Sequence, residues 1–320
     1  MAGKKVIAVI GATGAQGGGL ARAILADRSS EFGVRAITRK PDSDKARELA
    51  SLGAEVVQGD MDDVESVTRA FTGVYGAFCV TPFWEHFSPE REKKQAENMA
   101  EAAKRAGLRH VIWSTLEDTR RFVPLGDDRM PTLQGKYKVP HFDAKGEADE
   151  FFRKRGVPTT FLVASYYWEN LIYFGQPVQR GDDGIMRIAL PMSDKRLAGV
   201  AAEDIGKVAY GIFKEGTSLA GKTIGVAGEH LTVAQMAKKL GAALGEEVRY
   251  QDVPLEVARS SGAPGADDVT NMFQFYQDFE KEGLELRSVE RSRQLNPELK
   301  SFDQWLKENA SRLQEATPAR

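Results

Sequence analysis

The sequence predicts an α/β fold built on a parallel sheet, because β-branched segments alternate with helix-length segments from the first residues onward. The first segment, Lys5–Ile10, is a β-branched run that stops at a glycine, a pattern typical of a buried parallel strand. Similar strand patterns follow over residues 34–38, 55–58, 74–80, 110–114 and 159–164. Right-handed crossovers between such strands predict a doubly wound sheet.

Helix patterns occupy the intervals between these strands. They cover residues 18–28, 43–52, 63–71, 89–106 and 141–155. Gly53 and Gly107 directly follow two of them, where a residue with positive φ commonly ends a helix. Each of these helices is therefore long enough to return the chain from the end of one strand to the start of the next parallel strand.

The regular alternation fades after about residue 164. Helix patterns remain over 202–214, 233–244 and 255–260, and short strand patterns over 223–226 and 248–250. We therefore predict a sheet domain over residues 1–164 and a smaller mixed α/β domain over residues 165–320, some of whose segments pack back on the sheet. A length of 320 residues suits two domains of about 150 residues each.

Composition and charge exclude several functions. The chain has 44 Lys+Arg and 46 Asp+Glu, a net charge of −2, which argues against direct nucleic-acid binding. The longest uncharged run, Val6–Ala21, is too short and too rich in glycine to span a membrane. A single cysteine, Cys79, predicts a reducing, cytoplasmic environment. The four histidines are scattered without zinc spacing, so we expect no metal site.

A glycine-rich turn joins the first strand to the first helix. Gly11, Gly14 and Gly17 form a G-x-x-G-x-x-G pattern at this junction. Such glycines let backbone N–H groups approach a pyrophosphate, and the helix N-terminus adds its dipole. The motif begins a βαβ series, which favours a Rossmann dinucleotide site over an ordinary tight turn.

The end of the second strand indicates which dinucleotide binds. An NAD site has an acidic residue there for the ribose 2′-OH, whereas NADP needs a cation for the 2′-phosphate. This chain has Arg39 and Lys40 there, and its next carboxylate is Asp42. We therefore predict NADP(H), the alternative being that Arg39 is only a solvated strand-end residue.

Three further positions lie where the cofactor is expected to run. Asp60 and Met61 follow the third strand, beside the adenine, and Asp60 either accepts from the adenine amino group or caps the next helix. Thr81 follows the fourth strand. The segment Leu116–Val139, broken by prolines and glycines, and the segment Thr81–Ser88 are both predicted to lack their own anchors. They are expected to become ordered when the cofactor binds and so to alter association with a partner or a second copy.

Several motifs together resemble the NmrA-like family, especially its HSCARG branch. They are Gly11–Gly18, Thr38-Arg39, the turn at 59–63, His141-Phe-Asp-Ala-Lys145, residues 168–171 and residues 295–306. The resemblance covers nearly the whole chain. It implies an atypical short-chain dehydrogenase/reductase with a Rossmann domain, NADP(H) binding and a sensor or regulator role. Combined with the motifs above, it gives as cofactor-binding residues Gly11, Thr13, Gly14, Ala15, Gln16, Gly17, Arg39, Lys40, Asp60, Met61, Thr81, Lys94 and Lys145.

The resemblance also locates the candidate catalytic residues. Catalytic relatives carry Tyr-x-x-x-Lys on a helix, with a serine on the preceding strand. Here Lys145 and Ser114 are present, but His141 stands at the tyrosine position. Histidine can donate a proton near neutral pH, although His141 could equally be a helix-start residue facing a cleft. Tyr137 is one turn earlier, and Pro140 makes it a poor substitute.

Two functions follow from these observations. The first is an NADP(H)-binding redox sensor whose occupancy affects a regulatory protein partner or a second copy of the chain. The second is an NADPH-dependent reductase of a small carbonyl, enone or imine substrate, with His141 or water as proton source. A scaffolding role with a vestigial site is disfavoured by the intact glycine loop and Arg39.

Overall fold

The computed structural model describes residues 3–173 and 178–316. Its strands are β1 (Lys5–Ile10), β2 (Phe32–Thr38), β3 (Glu55–Gln58), β4 (Gly76–Cys79), β5 (His110–Thr115), β6 (Thr159–Val163), β7 (Tyr166–Tyr167), β8 (Val178–Arg180), β9 (Met186–Leu190), β10 (Arg196–Val200), β11 (Thr223–Gly225), β12 (Glu229–Thr232) and β13 (Val248–Asp252).

The helices alternate with these strands in the first half of the chain and cluster in the second. They are α1 (Ala15–Ala26), α2 (Asp44–Ser51), α3 (Val64–Phe71), α4 (Phe83–His86), α5 (Pro89–Arg105), α6 (Pro140–Arg155), α7 (Asn170–Tyr173), α8 (Ala202–Glu215), α9 (Val233–Leu244), α10 (Leu255–Arg259), α11 (Ala266–Asp278), α12 (Glu280–Leu286), α13 (Val289–Leu295) and α14 (Phe302–Ala316). Short 3₁₀ turns occupy Thr119–Arg121 and Gly216–Leu219.

Seven parallel strands form the central sheet, in the order β11-β6-β5-β4-β1-β2-β3. The strand order reverses between β1 and β4, so the carboxyl ends of these two strands flank a crevice. The predicted fold class, a doubly wound Rossmann-type α/β sheet, is confirmed.

The second half of the chain contributes to this sheet. Strand β11 pairs in parallel with β6 and adds the seventh strand. Helix α8 packs so closely on α1 that a Cβ on Gly19 would lie 2.3 Å from the Glu203 carbonyl oxygen, and one on Gly206 2.1 Å from the Leu20 nitrogen. Segments after residue 164 therefore pack against the central sheet and α1.

Two smaller three-stranded sheets lie in the second half, in the orders β12-β10-β7 and β13-β9-β8. They share a core with α9, α11 and α14, in which the Trp168 and Phe302 rings meet edge to face with their centroids 5.2 Å apart. Trp168 is fully buried, and Glu169 accepts hydrogen bonds from the Trp305 indole and the Ala202 amide. These two residues therefore hold the second core together.

The segment over residues 116–139 is anchored, contrary to the sequence expectation. Val123, Met130 and Val139 are buried in the second core. The Lys138 ammonium is also buried and donates to the Asp127 and Met130 carbonyl oxygens, both at 2.7 Å. A lysine is usually expected to point into water. Here the buried Lys138 ammonium instead joins the turns at Asp127 and Met130.

Among the residues that the structure describes, no helix combines the length and the apolar character needed to cross a bilayer.

Candidate functional site

The β1–α1 turn presents an open helix N-terminus. Gly11 has φ +66°, and Gly14 occupies the N-cap position of α1 without a capping side chain. Gly14 and Ala15 are exposed, Thr13 is half-buried, and the first turn of the helix has no acidic residue. A Cβ on Gly17 would lie 2.5 Å from the Gly11 carbonyl oxygen, so the tight turn requires glycine there. The free N–H groups of this turn suit a phosphate.

Gln16 turns inward from the same helix start. Its side-chain oxygen accepts from the Ser114 hydroxyl at 2.8 Å, and its amide N–H donates to the Tyr167 hydroxyl. Burial raises the pKa of Tyr167 to about 12. Ser114, on β5, thus has its hydroxyl engaged by Gln16.

Arg39 lies at the carboxyl end of β2 and forms an ion pair with Glu85 of α4, Nη2 to Oε2 2.6 Å. About half of each side chain is exposed, so water weakens the pair and an incoming phosphate could displace Glu85. Lys40 is exposed beside it. The two cations that the sequence indicates for the 2′-phosphate therefore stay accessible.

Asp60 and Met61 lie just beyond β3. Asp60 is exposed and accepts from the Asp62 amide at 3.0 Å, while the N-cap of α3 is Asp63, which accepts from the Glu65 amide. Asp60 thus orders its own turn instead of capping α3. Met61 is half-buried, with its carbonyl oxygen bound by the Asn98 side chain.

Lys145 is held in a buried cluster at the carboxyl edge of β4. Its ammonium lies 2.6 Å from Glu92 Oε1 and 2.6 Å from the Thr81 hydroxyl, and that hydroxyl donates to the same Glu92 oxygen. The second Glu92 oxygen faces His86 Nε2 at 3.4 Å. Although burial alone opposes ionisation, Lys145, His86 and Thr81 together lower the pKa of Glu92.

His141 begins α6 against a carboxylate from the second half of the chain. Its Nδ1 lies 2.6 Å from Asp268 Oδ1, and its backbone N–H donates to Asp268 Oδ2 at 3.1 Å. The Trp84 ring lies 4.7 Å from the imidazole centroid. Both partners of this His–Asp pair are nearly buried, and the carboxylate fixes the imidazole in one orientation.

A cavity of about 470 Å³ adjoins this His–Asp pair. Its walls come from Phe83 and Phe87 of the α4 region, Pro140 of α6, the α10–α11 connection, and the first turn of α11 with Asp268. Its volume lies in the range of small-molecule sites, about 300–1,000 Å³.

The structure does not bring Lys94 into this arrangement. Its side chain is 64% exposed and pairs with Glu97 at 3.1 Å. Glu92, two residues earlier on the same helix, points inward and is fully buried.

A model of the NmrA-like family matches residues 3–306. The chain belongs to this family. It is 28% identical to the NmrA-like family domain-containing oxidoreductase lnbB of Aspergillus flavus, over 86% of this chain and 84% of that protein. Its fold is similar to that of Nmra, a negative transcriptional regulator solved in complex with NAD, at a TM-score of 0.81 and 25% identity over 98% of both chains. A complex of Nmra with NADP gives a TM-score of 0.79 at 24% identity, again over 98% of both chains.

Two residues of this NmrA-like chain's site escaped the sequence reasoning. Glu92 had a usable signal, since stepping back four residues from the buried positions Ala96, Ala100 and Ala103 continues the inner face of α5 onto Glu92. Asp268 had none, because 127 residues separate it from His141 and α11 has to fold onto α6 before they meet.

Proposed function

We propose that this NmrA-like chain binds NADP(H) and acts chiefly as a redox sensor of the HSCARG type, with little dehydrogenase activity. The observation that carries the cofactor part is the uncapped, exposed start of α1, where Gly17 leaves no room for a Cβ. A pyrophosphate would occupy that helix start, and Arg39 and Lys40 would meet a 2′-phosphate.

Preference for NADP(H) rests on the residues after β2. Nmra was crystallised with both NAD and NADP, so its complexes do not choose between the cofactors. In this chain Arg39 and Lys40 stand where an NAD-selective site has an acid, and the carboxylate that pairs with Arg39 is the exposed Glu85.

Low dehydrogenase activity is proposed because the three candidate catalytic groups are each engaged elsewhere. Ser114 donates to Gln16, Lys145 is paired with Glu92, and His141 is paired with Asp268. A short-chain dehydrogenase needs its serine and its acid at the substrate carbonyl, with its lysine free to lower the pKa of that acid and to hold the ribose. The signal is instead proposed to pass to a protein partner or a second copy of the chain, in the cytoplasm.

A reductase is the second candidate, and the His–Asp pair beside the cavity favours it. Asp268 orients His141, and an oriented imidazole can supply a proton without help from Ser114. The relative lnbB is named an oxidoreductase. When bound, NADPH would supply the hydride, and His141 would hold the proton at its ring nitrogen.

The cofactor proposal is tested by Arg39→Gln with Arg47→Gln as the matched control. Losing one charge-assisted phosphate contact should weaken NADP(H) binding about tenfold or more and leave NAD(H) unchanged. Arg47 pairs with Asp44 on the exposed face of α2, so its replacement should change neither affinity. Calorimetry measures both, and equal affinities of the native chain for the two cofactors would overturn the preference.

The choice between sensor and reductase is tested by NADPH absorbance against a panel of aldehydes, enones and imines. A sensor gives no turnover with the panel, and NADPH changes its molar mass in light scattering or its binding to a partner. Turnover that His141→Gln abolishes while NADPH affinity is kept would favour the reductase.

A further inference from the structure

The cavity beside the His–Asp pair has a cation in its wall. Arg259, the last residue of α10, lines the cavity and is half-buried. Phe83, Leu133 and Pro140 supply apolar surface around the same space. A cavity with apolar walls and one cation is suited to a small organic anion.

Two neutral amides, not a carboxylate, hold the Arg259 guanidinium. Nε and Nη2 donate to Asn271 Oδ1 at 3.3 and 3.2 Å, and Nη2 also donates to the Gln274 side-chain oxygen. Within the part of the chain that the structure describes, no ion pair joins Arg259 to an acid. Its Nη1 group makes no hydrogen bond there either.

Both amides are oriented by the anchored segment over residues 116–139. Asn271 Nδ2 donates to the Pro131 and Lys138 carbonyl oxygens at 2.9 and 2.6 Å, and Gln274 Nε2 donates to the Arg129 carbonyl oxygen at 2.6 Å. Since their N–H groups are used on these carbonyls, their oxygens have to face Arg259. The guanidinium is thus fixed in place by neutral groups, with no carboxylate hydrogen-bonded to it among the described residues.

The electrostatic environment agrees with this arrangement. Burial lowers the pKa of Arg259, whereas the pKa of the ion-paired Arg120 is raised. Asp267, on the cavity rim, and Glu256, on α10, both act on Arg259 and favour its charged form. Their side chains are exposed, so water screens their charges. Asp268 is already paired with His141. An anion entering the cavity therefore meets a positioned cation with little competition.

The backbone at the rim supports a binding role. Phe87 lines the cavity with φ +54°, a conformation that a bulky residue rarely adopts, and its side chain is 41% exposed. Its ring packs so closely on Gly265 that a Cβ there would lie 3.1 Å from it. Such strain is usually kept where a site needs the residue in place.

We propose that this cavity binds a small carboxylic acid with an apolar body. The carboxylate is held by Arg259 Nη1, and the body packs on Phe83 and Pro140 beside His141. A guanidinium fork matches the two oxygens of a carboxylate. The site is separate from the β1–α1 turn, so the inference does not depend on cofactor binding.

The test uses benzoate and phenylacetate as probes and benzamide as the neutral match of benzoate. Their binding to the full chain is followed by NMR titration, for the native protein, Arg259→Gln and Arg259→Lys. We expect Arg259→Gln to weaken both acids at least tenfold without changing benzamide binding, and Arg259→Lys to lie between. Arg249→Gln is the matched control, because Arg249 pairs with Glu247 on the surface away from the cavity.

Three results would overturn the proposal. They are binding of benzamide as tight as that of benzoate, unchanged benzoate affinity in Arg259→Gln, and lack of saturable binding for both acids. NADPH affinity measured on the same samples separates the two questions, since Arg259→Gln should leave it unchanged. Loss of acid binding with NADPH binding retained in the native chain would count against this inference alone.

Discussion

Glu92 shows how one buried charge organises the candidate site. Its carboxylate is fully buried, yet it has a cation, a hydroxyl and an imidazole within reach. Two charges removed from water stabilise a protein little as a pair, but a lone buried charge costs several kcal/mol. Glu92 thus supplies the carboxylate that compensates the buried Lys145 ammonium at 2.6 Å, and the two have to be considered together.

Replacing Glu92 by glutamine should destabilise the protein by about 3–5 kcal/mol near neutral pH, because Lys145 then keeps a buried charge without a partner. The folded-state pKa of Glu92 is lowered from 4.5 to about 2. Its stabilising effect is therefore complete above about pH 4.5 and is lost as the pH falls toward 2. Urea unfolding at pH 7, 5 and 3 should show the difference between native and Glu92→Gln proteins shrinking.

Glu97→Gln is the control for this experiment. Glu97 lies on the same helix and pairs with Lys94 and Arg155 at the surface. Exposed pairs contribute about 0–1 kcal/mol, so this variant should stay close to the native stability. A constant Glu92→Gln effect across the pH range would contradict the buried pair as its cause.

At the scale of elements, the α1–α8 contact joins the candidate cofactor helix to the second half of the chain. Gly19 and Gly206 let the two helix backbones touch, and α1 is the helix whose N-terminus is open for a phosphate. The position of the α1 N-terminus therefore depends on α8, from the second half of the chain, as well as on the β1–α1 turn.

Gly206→Ala should destabilise the protein by about 2–4 kcal/mol, because its methyl group would have to push α8 away from α1. Gly283→Ala, in α12, is the matched control. A Cβ at Gly283 meets nothing within 4 Å, so alanine should be neutral or stabilise by up to about 1 kcal/mol. Thermal and urea unfolding compare the two, and equal stabilities would show that the helices can separate without cost.

The sequence predicted elements well where a hydrophobic pattern alone decides them. Strand β1, strand β3 and helix α9 have the predicted bounds, because each has a compact apolar run with clear stop residues. The sequence does not predict strands β7 to β10 or helices α11 to α13. Most of these elements are short, and they depend on packing against one another rather than on a local hydrophobic pattern. The His141–Asp268 pair belongs to this second group, because it exists only after α11 has packed on α6.

At the scale of the whole molecule, the segment over residues 116–139 connects both halves. Asp143 accepts hydrogen bonds from the backbone N–H groups of Thr119 and Lys138 at 2.8 Å each. From the second half of the chain, the side chains of Asn271 and Gln274 donate to backbone carbonyl oxygens of the segment. The sequence predicts a segment that becomes ordered only when the cofactor binds. That prediction missed these polar anchors, because none of them belongs to a hydrophobic pattern.

Hydrogen exchange should therefore show slow exchange of the Thr119 and Lys138 amides without NADPH, and no large change when NADPH is added. Residues 81–88, which lie at the carboxyl edge between Arg39 and Lys145, should gain protection on binding. Strand β9, outside the central sheet, serves as the internal reference. Fast exchange at residues 119 and 138 that slows only with NADPH would instead support ordering of this segment by the cofactor.

The place of β11 in the sheet affects how the chain can be made. Strand β6 is completed at Val163, but its outer edge stays unpaired until Gly225 has been synthesised. At a translation rate of about 5–20 residues per second, this delay lasts several seconds. During that time the ribosome carries a nearly finished sheet with an apolar open edge, the kind of edge that promotes aggregation. The nascent chain should therefore depend on a holding chaperone at this stage, and the fragment ending at residue 164 should aggregate when expressed alone.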